Sequence, residues 1–64
     1  MTIEMAYDAF KALQEQLDAS SDDMYEWLSD RLGINVLDCT FESFSDTMLE
    51  EAYTVCKEQL LEGS

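Results

Sequence analysis

Apolar positions recur every three or four residues in three stretches of this chain, and each stretch predicts one helix. In the first, Ile3, Ala6, Phe10, Leu13 and Leu17 fall within one stripe at about 100° per residue, with Tyr7 on its shoulder. Thr2 is placed to cap it, and the helix is expected over residues 3–18. The polar run Asp18-Ala19-Ser20-Ser21 reads as a short connection. Ser20 with Asp23 resembles a capping box that opens a second helix over 21–32, where Asp22 and Asp23 favour the positive end of the helix dipole. Met24, Leu28 and Leu32 form its inner face, flanked by Tyr25 and Trp27, and Gly33 is expected to stop it.

The third helix, expected over 46–62, is the longest and is the element the others are expected to pack against. Ser45 serves as its cap, and Phe44 with Leu49 fits a hydrophobic staple. Leu49, Ala52, Tyr53, Cys56 and Leu60 make its stripe, and Gly63 is expected to end it in a left-handed turn. Met48 and Val55 widen that stripe and Leu61 lies on the polar side, so a second contact surface and weak self-association are predicted.

Residues 34–44 fit neither period well. Leu37, Cys39 and Phe41 alternate with polar residues as in a half-buried strand, yet no second strand candidate exists to pair with it. The expected form is an ordered connection, with a helical turn, whose apolar residues plug the open end of the bundle. A strand pairing across a dimer is the alternative. The predicted fold is therefore all-α: a single acidic domain over 1–64, built as a small three-helix bundle with an ordered connection between helices 2 and 3.

Charge changes this picture most. Fifteen Asp and Glu face three Lys and Arg, for a formal net charge of −12. Phosphate backbones and anionic membrane surfaces both reward Lys and Arg, so direct binding to nucleic acid or to such a membrane is not expected. The field suits a basic partner. No basic and apolar leader is read at the N-terminus, and no run reaches membrane-spanning length, so a cytoplasmic protein is expected. Cys39 and Cys56 are then expected to be reduced and to act as small apolar residues.

Candidate chemistry is sparse. The chain contains no histidine, which removes the commonest general base and metal ligand. Two cysteines alone do not make a zinc site, and Lys57, next to Cys56 in sequence, points elsewhere on a helix. No calcium loop or Gly-rich phosphate loop is present. The Asp-Ser-Leu motif that carries the prosthetic group of acyl carrier proteins is also missing, the nearest match being Phe44-Ser45-Asp46. No catalytic residue, cofactor or metal is therefore predicted, and the chain is expected not to be an enzyme.

The acidic surface carries the functional expectation. Net charge of magnitude about 2 to 8 suffices to keep a small domain soluble. The excess here burdens the fold by self-repulsion, which argues for a use elsewhere. Asp23, Glu26 and Asp30 form one row on the second helix, with Asp22 beside it, and Glu51, Glu58 and Glu62 form another on the third, with Glu50 alongside. Carboxylates three and four residues apart are separated by about 4.5 and 6 Å along the axis. Such rows suit a basic groove built for phosphates, as in phage-type DNA mimics of the anti-CRISPR or anti-restriction class, which act in a host cytoplasm. The expected function is inhibition or sequestration of a basic, nucleic-acid-binding protein through these acids and Trp27. The alternative is a helical adaptor or antitoxin-like module in which Trp27, Tyr25, Met48, Val55 and Leu61 form an apolar patch.

Overall fold

The computed structural model describes residues 2–63 and shows three helices: α1 (Ile3–Leu17), α2 (Ser21–Leu32) and α3 (Asp46–Glu62). Two single turns of 3₁₀ helix, Val36–Asp38 and Phe41–Ser43, join α2 to α3, and no strand occurs among the described residues. The all-α bundle read from the pattern is the fold observed.

Each helix begins where a hydroxyl can accept from an amide left unpaired in the first turn. Thr2 accepts from the Met5 N–H at 3.3 Å, Ser20 from Asp23 at 3.2 Å and Ser45 from Met48 at 3.3 Å. Caps of this kind contribute about 1 kcal/mol each. The ends of α1 and α2 share one geometry. At α2, Gly33 takes φ 71°, its N–H donates to the Asp30 carbonyl, and the Ile34 N–H reaches back to Ser29 at 3.0 Å. At α1, Asp18 does the same with φ 51°, bonding Glu15, while the Ala19 N–H bonds Gln14 at 3.2 Å. This paired closure satisfies carbonyls that the helix would otherwise leave open. Left-handed geometry strains most side chains but is better tolerated by Asp. The Gln14 amide braces the turn further by donating to the Ala19 carbonyl at 3.1 Å.

Three sequence expectations are corrected. Gly63 does not take the left-handed turn: its φ is −81°, and its N–H still bonds the Gln59 carbonyl at 3.0 Å, so α3 ends on an ordinary helical bond. A side chain on Gly63 would run into the Gln16 side-chain amide of α1. Leu37 does not plug the bundle; it is 84% exposed, because the turn begun by Asn35 faces it outward. Ile3 and Leu17, at the two ends of the predicted α1 stripe, are also nearly half exposed, while Ala9 is buried. Residues 34–44 form no strand, so the intermolecular alternative has no support in the chain's own geometry.

The core joins α1 to α3, whose contact is the most extensive, and α2 rests on α3 and on the first 3₁₀ turn. Phe10, Leu13, Met24, Leu28, Cys39 and Cys56 are its largest fully buried side chains. Phe41, on the second 3₁₀ turn, meets four rings: Phe10 at 5.1 Å, Tyr7 at 5.4 Å, Phe44 at 5.4 Å and Tyr25 at 6.5 Å between centroids. The buried Ser29 hydroxyl is satisfied by donating to the Glu26 carbonyl at 2.9 Å.

Both cysteines are free thiols in this core. Burial pushes Cys56 up to about 11, with the nearby Cys39 adding to the effect, and burial raises Cys39 itself. A raised thiol pKa favours the neutral form in the fold. Its stabilising contribution is complete below the unfolded value near 9.0 and is lost as pH rises toward 11. The melting temperature is therefore expected to fall between about pH 9 and pH 11 under reducing conditions. Cys56→Ala is expected to fall less steeply across that window. Equal slopes in circular dichroism melts would show that Cys56 is not the group responsible.

Candidate functional site

All fifteen carboxylates are exposed. Asp22 and Asp23 occupy the first turn of α2, where the Asp23 N–H is held by Ser20. Asp23, Glu26 and Asp30 then continue along the solvent side of α2, opposite buried Met24 and Leu28. On α3, Glu51, Glu58 and Glu62 share an outer stripe opposite Leu49 and Cys56, and Glu50 stands to one side.

The helices meet at an open groove of about 570 Å³ lined by Arg31, Thr47, Glu50, Glu51, Thr54 and Val55. Of the candidate acids, Glu50 and Glu51 come to this groove. Glu58 and Glu62 lie farther along α3, Glu62 about 16 Å from Glu51 by helical rise. Asp22, Asp23, Glu26 and Asp30 are outside its lining. The acids thus form two separate rows, not one pocket, and of the two only the α3 row reaches the groove, through Glu51.

Trp27 is half-buried against the core and carries the Arg31 guanidinium over its ring at 5.6 Å from the centroid. The same pairing occurs once on every helix. Lys11 lies 5.9 Å over Tyr7 and Lys57 lies 5.7 Å over Tyr53, each cation four residues after its ring. Lys11 also donates to the Gln14 side chain at 3.1 Å. All three cations of the chain lie over aromatic faces, Arg31 also lining the groove beside Glu50 and Glu51, and with fifteen acids against three cations the rows stay strongly negative.

Met48 and Val55 are half-buried but stand outside the core cluster, and Val55 lines the α2–α3 groove. Leu61 is 76% exposed. No group of three or more metal-binding side chains occurs among the described residues, and no helix there is long and apolar enough to cross a membrane.

A second cavity leaves no mark in the periodicity of the chain. A cleft of about 480 Å³ is lined by Ile3, Tyr7, Tyr25, Thr40, Phe41 and Glu42, drawn from α1, α2 and the second 3₁₀ turn. Its aromatic residues were legible as core or flank positions. Their convergence on one cleft depends on the path of the connection, which left no periodic signal.

These features define an acidic three-helix domain with two exposed carboxylate rows. Comparison with protein-family models, curated proteins and solved structures finds no match to this chain.

Proposed function

We propose that this protein is a non-enzymatic binding protein that inhibits or sequesters a basic, nucleic-acid-binding protein by presenting carboxylates where that partner expects phosphates. The observation that carries this reading is the exposure of all fifteen acids while the three cations lie over aromatic rings. Asp23, Glu26 and Asp30 on α2 and Glu51, Glu58 and Glu62 on α3 supply the rows, fixed on helices and so ordered before binding. Pre-ordered charge attracts a basic groove at long range and adds little entropy cost on docking.

A second reading, an adaptor that binds through an apolar patch, draws on Val55, Met48 and Leu61, which lie outside the core. Salt separates the two. Immobilised protein in a cell lysate is expected to retain basic nucleic-acid-binding proteins at low salt and to release them by about 0.5 M salt or on addition of competitor DNA. The triple variant Asp23→Asn, Glu26→Gln, Asp30→Asn is expected to lose at least about tenfold in retention. Retention that ignores salt and this variant, but fails in Val55→Asp, would establish the adaptor reading instead.

A further inference from the structure

We propose that the cleft between Tyr7, Tyr25, Phe41 and Glu42 is an arginine pocket, which takes one guanidinium side chain of the basic partner. This deepens the proposed function and rests on it for the identity of the partner, but the pocket lies apart from the α2 and α3 acid rows.

The pocket is built from the bottom by one short turn. Phe41–Ser43 forms a single 3₁₀ turn whose first residue faces inward, leaving Phe41 only 5% exposed as the floor. The next residue, Glu42, faces outward and places a carboxylate at the rim. Tyr7 stands nearly perpendicular to the floor ring, at 83° and 5.4 Å between centroids, and Tyr25 is inclined at 62° and 6.5 Å. Thr40 donates its hydroxyl proton to Ser43 at 2.8 Å, so the lone pairs of its oxygen are left to accept.

Aromatic walls with one carboxylate at the mouth select a planar, weakly hydrated cation. A guanidinium stacks on ring faces more readily than an ammonium, which holds its water more tightly. Its fork of N–H donors can pair with the Glu42 carboxylate while the plane rests against a phenol ring. A neutral apolar ligand would cover the rings but strip water from Glu42 without replacing it. A phosphate or carboxylate ligand would meet the repulsion of a −12 chain. Lys11, which lies over the Tyr7 ring, is not among the residues lining the cleft, and Arg31 over Trp27 shows this same cation-on-ring pairing within the chain.

The test is a nuclear magnetic resonance titration of the intact protein at 0.3 M salt with three probes: acetyl-arginine methylamide, its lysine analogue, and the citrulline analogue as the neutral isostere. The arginine probe is expected to shift the ring resonances of Tyr7 and Tyr25, with the citrulline probe binding at least about tenfold more weakly and the lysine probe in between. Glu42→Gln, an exposed and fold-neutral change, is expected to remove most of the arginine preference. Tyr7→Leu, checked for retained helix by circular dichroism, is expected to weaken the arginine probe. The triple α2 row variant is expected to keep arginine binding within about twofold. Equal binding of arginine and citrulline would overturn the pocket, as would arginine shifts confined to the acid rows. Neither result would touch the lysate experiment. Conversely, a row variant that retains every partner would sink the proposed function and leave an arginine-selective cleft in place.

Discussion

Phe41→Ala is expected to leave this chain largely unfolded at 25 °C. The residue belongs to the connection between α2 and α3, where a truncation would ordinarily be tolerated. Here it is 5% exposed and its ring meets those of Tyr7, Phe10, Tyr25 and Phe44. Removing a buried Phe ring costs about 3–5 kcal/mol in transfer and cavity terms together. A single core in a domain this small rarely supplies more than about 3–5 kcal/mol in all. The loss and the whole reserve are therefore of similar size. Leu37→Ala, four residues earlier on the same connection, removes an 84% exposed side chain and is expected to stay within about 0.5 kcal/mol of the parent. Far-ultraviolet circular dichroism with urea titration reads both. A cooperative Phe41→Ala transition within about 1 kcal/mol of the parent would show that the connection merely spans the gap between helices.

The contrast between Phe41 and Leu37 also marks where the chain stops being readable. Both sit on the same alternating pattern, and alternation alone assigned them one fate. The actual backbone is two separate 3₁₀ turns, each three residues long, which is too short to leave a period in the sequence. The helices behaved differently, because each carries its period for three turns or more and a cap that satisfies identifiable amides. Thr2, Ser20 and Ser45 accept the bonds their positions implied, and Gly33 takes the left-handed closure expected of it. Gly63 shows the limit of that reasoning: a glycine after a helix permits the left-handed turn without demanding it. Asp18 shows the converse, since a side-chain-bearing residue adopts φ 51° once Gln14 bonds the turn beyond it.

The candidate surface divides along the same line. Which acids share a helix face follows from spacing alone, and all of those named are exposed. How the two helices set their rows relative to one another depends on packing between α2 and α3, which no local pattern encodes. That packing brings Glu50 and Glu51 to a groove with Arg31 and leaves Glu58 and Glu62 outside it. The ring-to-cation spacing of four residues was present in the sequence at Tyr7 and Lys11, Trp27 and Arg31, and Tyr53 and Lys57.

Raising sodium chloride from about 10 mM to about 0.5 M at pH 7 is expected to increase the melting temperature by at least about 10 °C. Fifteen carboxylates share a surface of 4227 Å², about 280 Å² each, so neighbours stand about 17 Å apart on average. At 10 mM salt the Debye length is about 30 Å and most of these charges repel one another; by 0.5 M it is well below their spacing. The expanded chain holds the same charges farther apart, so screening relieves the fold more than the unfolded state. Hydrophobic burial also strengthens in salt, and a charge variant isolates the electrostatic part. Glu51→Gln, Glu58→Gln and Glu62→Gln together remove three charges from one stripe of α3 without touching the core. This variant is expected to melt higher than the parent at low salt and to gain less from added salt, while binding the proposed basic partner more weakly. Should it melt lower than the parent at 10 mM salt, the α3 acids would be structural supports. The opposition between stability and binding that motivates the mimic reading would then be absent from that row.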